Sequence, residues 1–167
     1  VAVPVIVLVA LATRADVQSR RIPNVLTGPA LLLGVLVHLG LGGLPGAGNA
    51  LLGAVVAGAV LLPGWLMGFT GAGDVKLMAA VGAWLGYPDG LVAAAGALIA
   101  GGLIALVIAI RRGILLQALR NTASLVLAVL PWSRWGCIAP SVKSAGVRFP
   151  FAPAVLAGAI FALLSRG

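Results

Sequence analysis

The chain reads as an all-α integral membrane protein of about six transmembrane helices, and three observations carry that expectation. Its residues are 62% hydrophobic and only 8% charged, with a mean hydropathy of +1.19. Eleven basic and three acidic residues cannot clothe a soluble domain of 167 residues. Residues 22–73 contain no Asp, Glu, Lys or Arg at all. Since roughly 20 apolar residues cross a bilayer, that stretch alone is long enough for two crossings. The runs are long, rich in Ala, Leu and Gly, and lack the two-residue alternation of a barrel strand. Helices rather than a closed barrel must then satisfy the backbone.

Taken in order, helices are expected near residues 1–15, 25–41, 48–68, 72–87, 90–110 and 149–165. The first run is short, carries one charge at Arg14 and begins without a methionine, so the natural start is expected further upstream. The second and third share the uncharged stretch, and Gly40, Gly42, Gly43, Pro45, Gly46 and Gly48 supply the turn between them. The fourth is apolar apart from Asp74 and Lys76, and the fifth and sixth carry no charge. So many apolar runs exclude a secretory signal on a soluble protein. Residues 1–167 are expected to form a single transmembrane domain, with 112–147 a cytoplasmic or interfacial segment between the fifth and sixth helices. Within it, "ILLQALRNTASLVLAVLPWSRW" (114–135) is too broken by polar residues to span. It suits an interfacial amphipathic helix, with Trp132 and Trp135 at headgroup level.

Charge placement sets the orientation. Arg14, Arg20 and Arg21 lie at the first connection and Lys76 beside the third. Arg111, Arg112, Arg120, Arg134, Lys143 and Arg148 lie on the fifth. With alternating crossings, ten of the eleven basic residues fall on one side, which the positive-inside rule makes cytoplasmic. The net charge of +8 then calls for anionic lipid headgroups rather than nucleic acid, since no recognition-helix or zinc-finger pattern accompanies it.

The three carboxylates are Asp16, Asp74 and Asp89. Asp16 ends the first expected helix and Asp74 opens the fourth, so the topology brings both to one membrane face. Two like acids at one low-dielectric boundary cannot both ionise easily, and one tends to hold a proton while the other stays charged. Such a pair can serve as general base and general acid around one water. In "GAGDVKL" (71–77), Gly71 and Gly73 remove side chains beside the acid, so backbone can bend there and admit a ligand strand closely. Lys76 stands two residues past Asp74, about 200° around a helix, which leaves it to snorkel to the interface while the acid faces inward.

Each of these residues has a plainer assignment. The glycines could be close-packing positions between membrane helices. They do not form a phosphate loop, because the Gly-Lys-Ser/Thr ending and a preceding strand are missing. Asp16 could be an ordinary helix-end residue near Arg14 and Arg20. Asp89, between Pro88 and Gly90, reads as a solvated turn acid. His38 has no nearby Cys, Asp or Glu and suits packing or hydrogen bonding, not a metal. Cys137 is alone and supports neither a disulfide nor a zinc cluster.

"DVQSRRIPN" (16–24) resembles the Asp-x5-Ile-Pro-Asn signature of the type IV prepilin peptidases. "GAGDVKL" (71–77) is similar to their Gly-x-Gly-Asp motif, and "RFPFAPAVLAGAI" (148–160) to the segment that opens their last helix. The resemblance implies a bacterial inner-membrane aspartyl endopeptidase that cuts the basic leader from prepilins or pilin-like proteins at the cytoplasmic face. It implies Asp16 and Asp74 as the catalytic acids, at the cytoplasmic ends of helices 1 and 4. Gly71, Gly73, Lys76, Pro23, Asn24 and Pro150 would form the active-site and substrate-binding surroundings. No metal and no cofactor is expected, and pilus assembly components join the prepilins as expected partners. Larger relatives carry an N-terminal domain with paired Cys-x-x-Cys motifs and methylate the new terminus. With a single cysteine and no such domain, this chain is similar to the peptidase-only branch of the tight-adherence (Flp) pili. The alternatives are a small transporter or channel, whose ionisable groups usually sit near the bilayer midplane, and a structural membrane subunit.

Overall fold

The computed structural model of the chain describes residues 2–19, 24–66, 70–113 and 151–165, and every segment is built on helix. Among the described residues five helices run in order: α1 (Ala2–Ser19), α2 (Asn24–Leu66), α3 (Ala72–Leu85), α4 (Asp89–Arg111) and α5 (Ala152–Leu164). Pro23, Pro150, Cys137, Trp132, Trp135 and most of the expected 112–147 segment lie outside the described residues.

The expected second and third helices are the two arms of α2. Instead of an open loop over Gly40–Gly48, the reversal turns on one residue, Gly43, at φ 61 and ψ −153. That is backbone a side chain would strain, so glycine carries it and helix resumes on both sides. Pro45, two residues on, lies in the first turn of the second arm, where its missing N–H costs nothing. The arms then fold back so closely that a Cβ on Gly46 would overlap the His38 carbonyl oxygen. His38 itself places Nδ1 2.9 Å from the Gly34 carbonyl oxygen, the hydrogen-bonding role its isolation suggested.

α3 packs against both arms. It runs antiparallel to the second, with Gly58 against Ala79 near the middle and Gly53 against Gly82 and Gly86 at the far end. It runs parallel to the first, where the Trp84 indole Nε1 donates to the Ala30 carbonyl at 2.8 Å. α4 returns beside this pair through Gly90, and α5 lies antiparallel on α4. There Gly158 sits on the backbone of Ala93 and Ala97, and Gly101 makes room for the Phe151 ring. α1 closes the bundle against α5 and α3.

Packing is inverted relative to a soluble core. The interior is dominated by small residues, among them Ala12, Ala50, Ala57, Ala80, Ala93, Ala97 and Ala159. Large apolar side chains such as Val3, Leu33, Val55, Ile99 and Phe161 face outward. Lipid tails solvate leucine as well as a protein interior does, so helix association in a membrane rests on close backbone approach, which small residues permit. α2 and α4 are each long and apolar enough to cross a bilayer, and α5 is a shorter apolar helix. The expected end residues shift modestly. α1 runs on to Ser19, so Asp16 lies inside it rather than at its end. Asp89 is the first residue of α4, half-buried, and not a solvated turn acid. An acid suits that place, because the positive end of the helix dipole meets it there.

Candidate active site

The position of each acid follows from helical periodicity. On α1, Val5, Val9, Ala12 and Asp16 are buried at spacings of three and four, so Asp16 prolongs the stripe facing the bundle interior. On α3, Asp74, Leu77, Met78 and Val81 make the corresponding stripe, and Asp74 begins it. Both carboxylates are only 8% exposed. Asp16 stands near enough for its charge to act on Asp74. Arg14, two residues before Asp16, is exposed, so the two point away from each other and Asp16 is not a solvated helix-end acid.

Each carboxylate is held at the start of a helix. Asp74 is the third residue of α3, and its Oδ2 accepts from the Gly71 N–H at 2.9 Å, one half of a capping box. Gly71 is the N-cap with extended backbone, φ −81 and ψ 151, which any residue adopts. What glycine supplies here is space, because a Cβ would stand 3.2 Å from Asp74 Oδ2. Gly73 already belongs to the first turn of α3. Asp16 is held by a distant segment. Its Oδ2 accepts from the backbone N–H of Ala152, the first residue of α5, at 3.2 Å across 136 positions. The two acids thus share one end of the bundle with the N-termini of α3 and α5, whose dipoles favour negative charge. Among the described residues no buried side-chain nitrogen or oxygen lacks a partner.

Lys76 leaves this site, as its 200° offset requires. It is exposed, and its Nζ donates to Asn24 Oδ1 at 2.9 Å. Of the sequence candidates, Asp16, Asp74, Gly71 and Gly73 are brought together, and Lys76 and Asn24 meet on the outer side of α3. Pro23 and Pro150 fall outside the described residues. The Ala152 donor was not foreseen, because a backbone N–H leaves no mark on residue type. Its one signal was the resemblance of 148–160 to a helix-opening segment.

A helical membrane protein whose buried polar centre is a pair of carboxylates defines the class: such a pair, in a water-poor setting, can divide acid and base roles over one water. Residues 3–106 match the model of the type IV leader peptidase family. The chain belongs to that family, and it is a type IV leader peptidase-like protease of the membrane. No curated protein and no solved structure matches the chain.

Proposed function

We propose that the chain is an aspartic endopeptidase of the bacterial cytoplasmic membrane that removes the basic leader from type IV prepilins or pilin-like proteins. The observation that carries this is the convergence of Asp16 and Asp74, buried and 58 positions apart in sequence, at one end of the bundle. In this reading the two arms of α2 each cross the bilayer, giving six spans with α1, α3, α4 and α5. The site end faces the cytoplasm, as the distribution of basic residues argues. Residues 1–167 then act as one peptidase domain.

One aspartate takes a proton from a water between the pair, and the water oxygen attacks the scissile carbonyl carbon while the other acid protonates its oxygen. Collapse of the tetrahedral adduct breaks the C–N bond, and the leaving amine takes up a proton. Acid and base roles belong to the pair rather than to either residue alone. Gly71 and Gly73 keep the approach to Asp74 open for an extended substrate backbone. In this reading the new terminus is left unmethylated, as in the tight-adherence pilus systems that the motifs resemble.

Incubating the purified chain in lipid with a set of prepilins, and weighing the mature termini by mass spectrometry, tests both cleavage and methylation. Cleavage at the leader junction with an unmodified new terminus is the expected result, and intact prepilin throughout would refute the assignment. EDTA should leave the rate unchanged. Loss of activity on chelation, restored by zinc, would replace the carboxylate pair with metal-assisted hydrolysis.

A further inference from the structure

Asp16 and Asp74 stand on different helices, so their meeting depends on the depth of α3 relative to α1. A one-residue slip of α3 moves Asp74 by about 1.5 Å along the axis and about 100° around it. At the far end of α3 the close contacts of Gly82 with Gly53 and Ala57 resist such a slip. At the site end directional bonds complete the register.

Two such bonds join α3 to the first arm of α2. At the site end Lys76 Nζ donates to Asn24 Oδ1 at 2.9 Å, across 52 positions. Further along, Trp84 Nε1 donates to the Ala30 carbonyl at 2.8 Å. The two points are eight residues apart on α3 and six on α2, so together they fix both depth and rotation. Asn24 is the first residue of α2, and only residues 20–23 separate it from the end of α1. The Lys76–Asn24 bond therefore ties the helix of Asp74 to the chain just beyond the helix of Asp16. Lys76 is exposed and lies on the side of α3 away from Asp74, so it acts on the site only through what it holds.

We propose that Lys76 and Asn24 are positioning residues whose hydrogen bond, with Trp84–Ala30 as the second fixed point, sets α3 at the depth where Asp74 faces Asp16. This rests on the reading of Asp16 and Asp74 as the reacting pair. A surface hydrogen bond contributes little to global stability. A reacting group misplaced by about 1 Å can nevertheless cost on the order of a hundredfold in rate. The bond should accordingly register in kcat and hardly at all in unfolding.

The test uses the full chain reconstituted in lipid, with a purified Flp-type prepilin as substrate. Lys76→Met and Asn24→Ala should each lower kcat by roughly ten- to a hundredfold with KM changed by less than about twofold. The double variant should be no slower than the slower single one within about twofold, because both remove the same bond. Lys76→Arg, which keeps a donor, should recover most of the rate. Independent of catalysis, Asp16→Cys and Asp74→Cys in a Cys137→Ser background should be joined by a short bis-alkylating reagent. Lys76→Met should reduce that yield. Losses that multiply in the double variant, a defect confined to KM, an Asn24→Ala variant with parental rate, or a cysteine pair that fails to join or joins regardless of Lys76 would each overturn the proposal. If the parent chain cleaves no prepilin, the assigned activity fails while the cross-linking arm still decides the register.

Discussion

At the end of the bundle where Asp16 and Asp74 meet, neighbouring segments are joined by hydrogen bonds, Ala152 to Asp16 and Lys76 to Asn24, while Gly71 to Asp74 caps the start of α3. At the opposite end the hydrogen bonds of Trp84 to Ala30 and Tyr87 to Asn49 are accompanied by contacts of bare backbone. Gly53, Gly82, Gly86 and Gly90 press together so closely that a Cβ on Gly82 would overlap the Gly53 carbonyl oxygen. The first kind of contact is specific in direction and tolerates small displacement, while the second fails at once if volume is added. The contrast separates two tasks. Glycine contacts set how closely the helices approach, and the hydrogen bonds of the site end set where the acids point.

The sharpest way to break that division is to remove the acids without touching the packing. Asp16→Asn and Asp74→Asn keep size and polarity, and each amide oxygen can still accept from Ala152 or Gly71. Each should lose at least about a thousandfold in prepilin cleavage, since paired groups act as a unit, at unchanged membrane levels and unfolding midpoint. Measurable cleavage by either variant near the parental rate would remove the pair from the chemistry.

Gly82→Ala tests the other end. Its methyl group meets the Gly53 carbonyl and the Ala57 side chain with nowhere to move, and about 2–3 kcal/mol of stability should go with it. Unfolding in detergent measures this, and cleavage per folded molecule should stay near the parental value. Gly71→Ala inverts the pattern. Its backbone suits alanine, so stability should hold within about 0.5 kcal/mol. The new methyl group crowds Asp74 Oδ2, and kcat should fall by about tenfold, or about 1.4 kcal/mol. The smallest effect belongs to Asp89→Asn at the start of α4, remote from the site, with cleavage within about twofold of the parent. Steady-state kinetics on prepilin decides both, and a slow Asp89→Asn variant would blur the distinction between the two ends.

Much of this arrangement can be read before any coordinates. Uncharged runs mark the helices because a bilayer admits little else. Alternation of the spans brings residues 16 and 74 to the same end, and a spacing of two residues turns Lys76 away from Asp74. The reversal at Gly43 is less legible. Six glycines and prolines crowd residues 40–48, and composition alone does not say which one carries the positive φ. The partners are least legible of all. The bond from Ala152 to Asp16 uses only main chain at its donor end. Asn24–Lys76 and Ala30–Trp84 are each separated by more than fifty residues and leave no periodic trace. Asp89 is equally hard to place, because a Pro-Asp-Gly string serves a turn and a helix start alike.

The alanines and glycines of the interior also bear on conformational entropy. A leucine or methionine surrenders rotamer freedom when it is ordered in a core, at about 0.5–2 kcal/mol, whereas Gly and Ala have none to surrender. Buried positions such as Ala57, Ala80, Ala93, Ala97 and Gly158 therefore enter the folded state with only their backbone to constrain. The outward-facing leucines and valines keep their rotamers in fluid surroundings on either side of the transition. Helix docking here exchanges little side-chain disorder for contact. The large buried groups, Leu61, Leu77, Met78, Trp84, Leu85 and Phe151 among them, carry most of the side-chain cost.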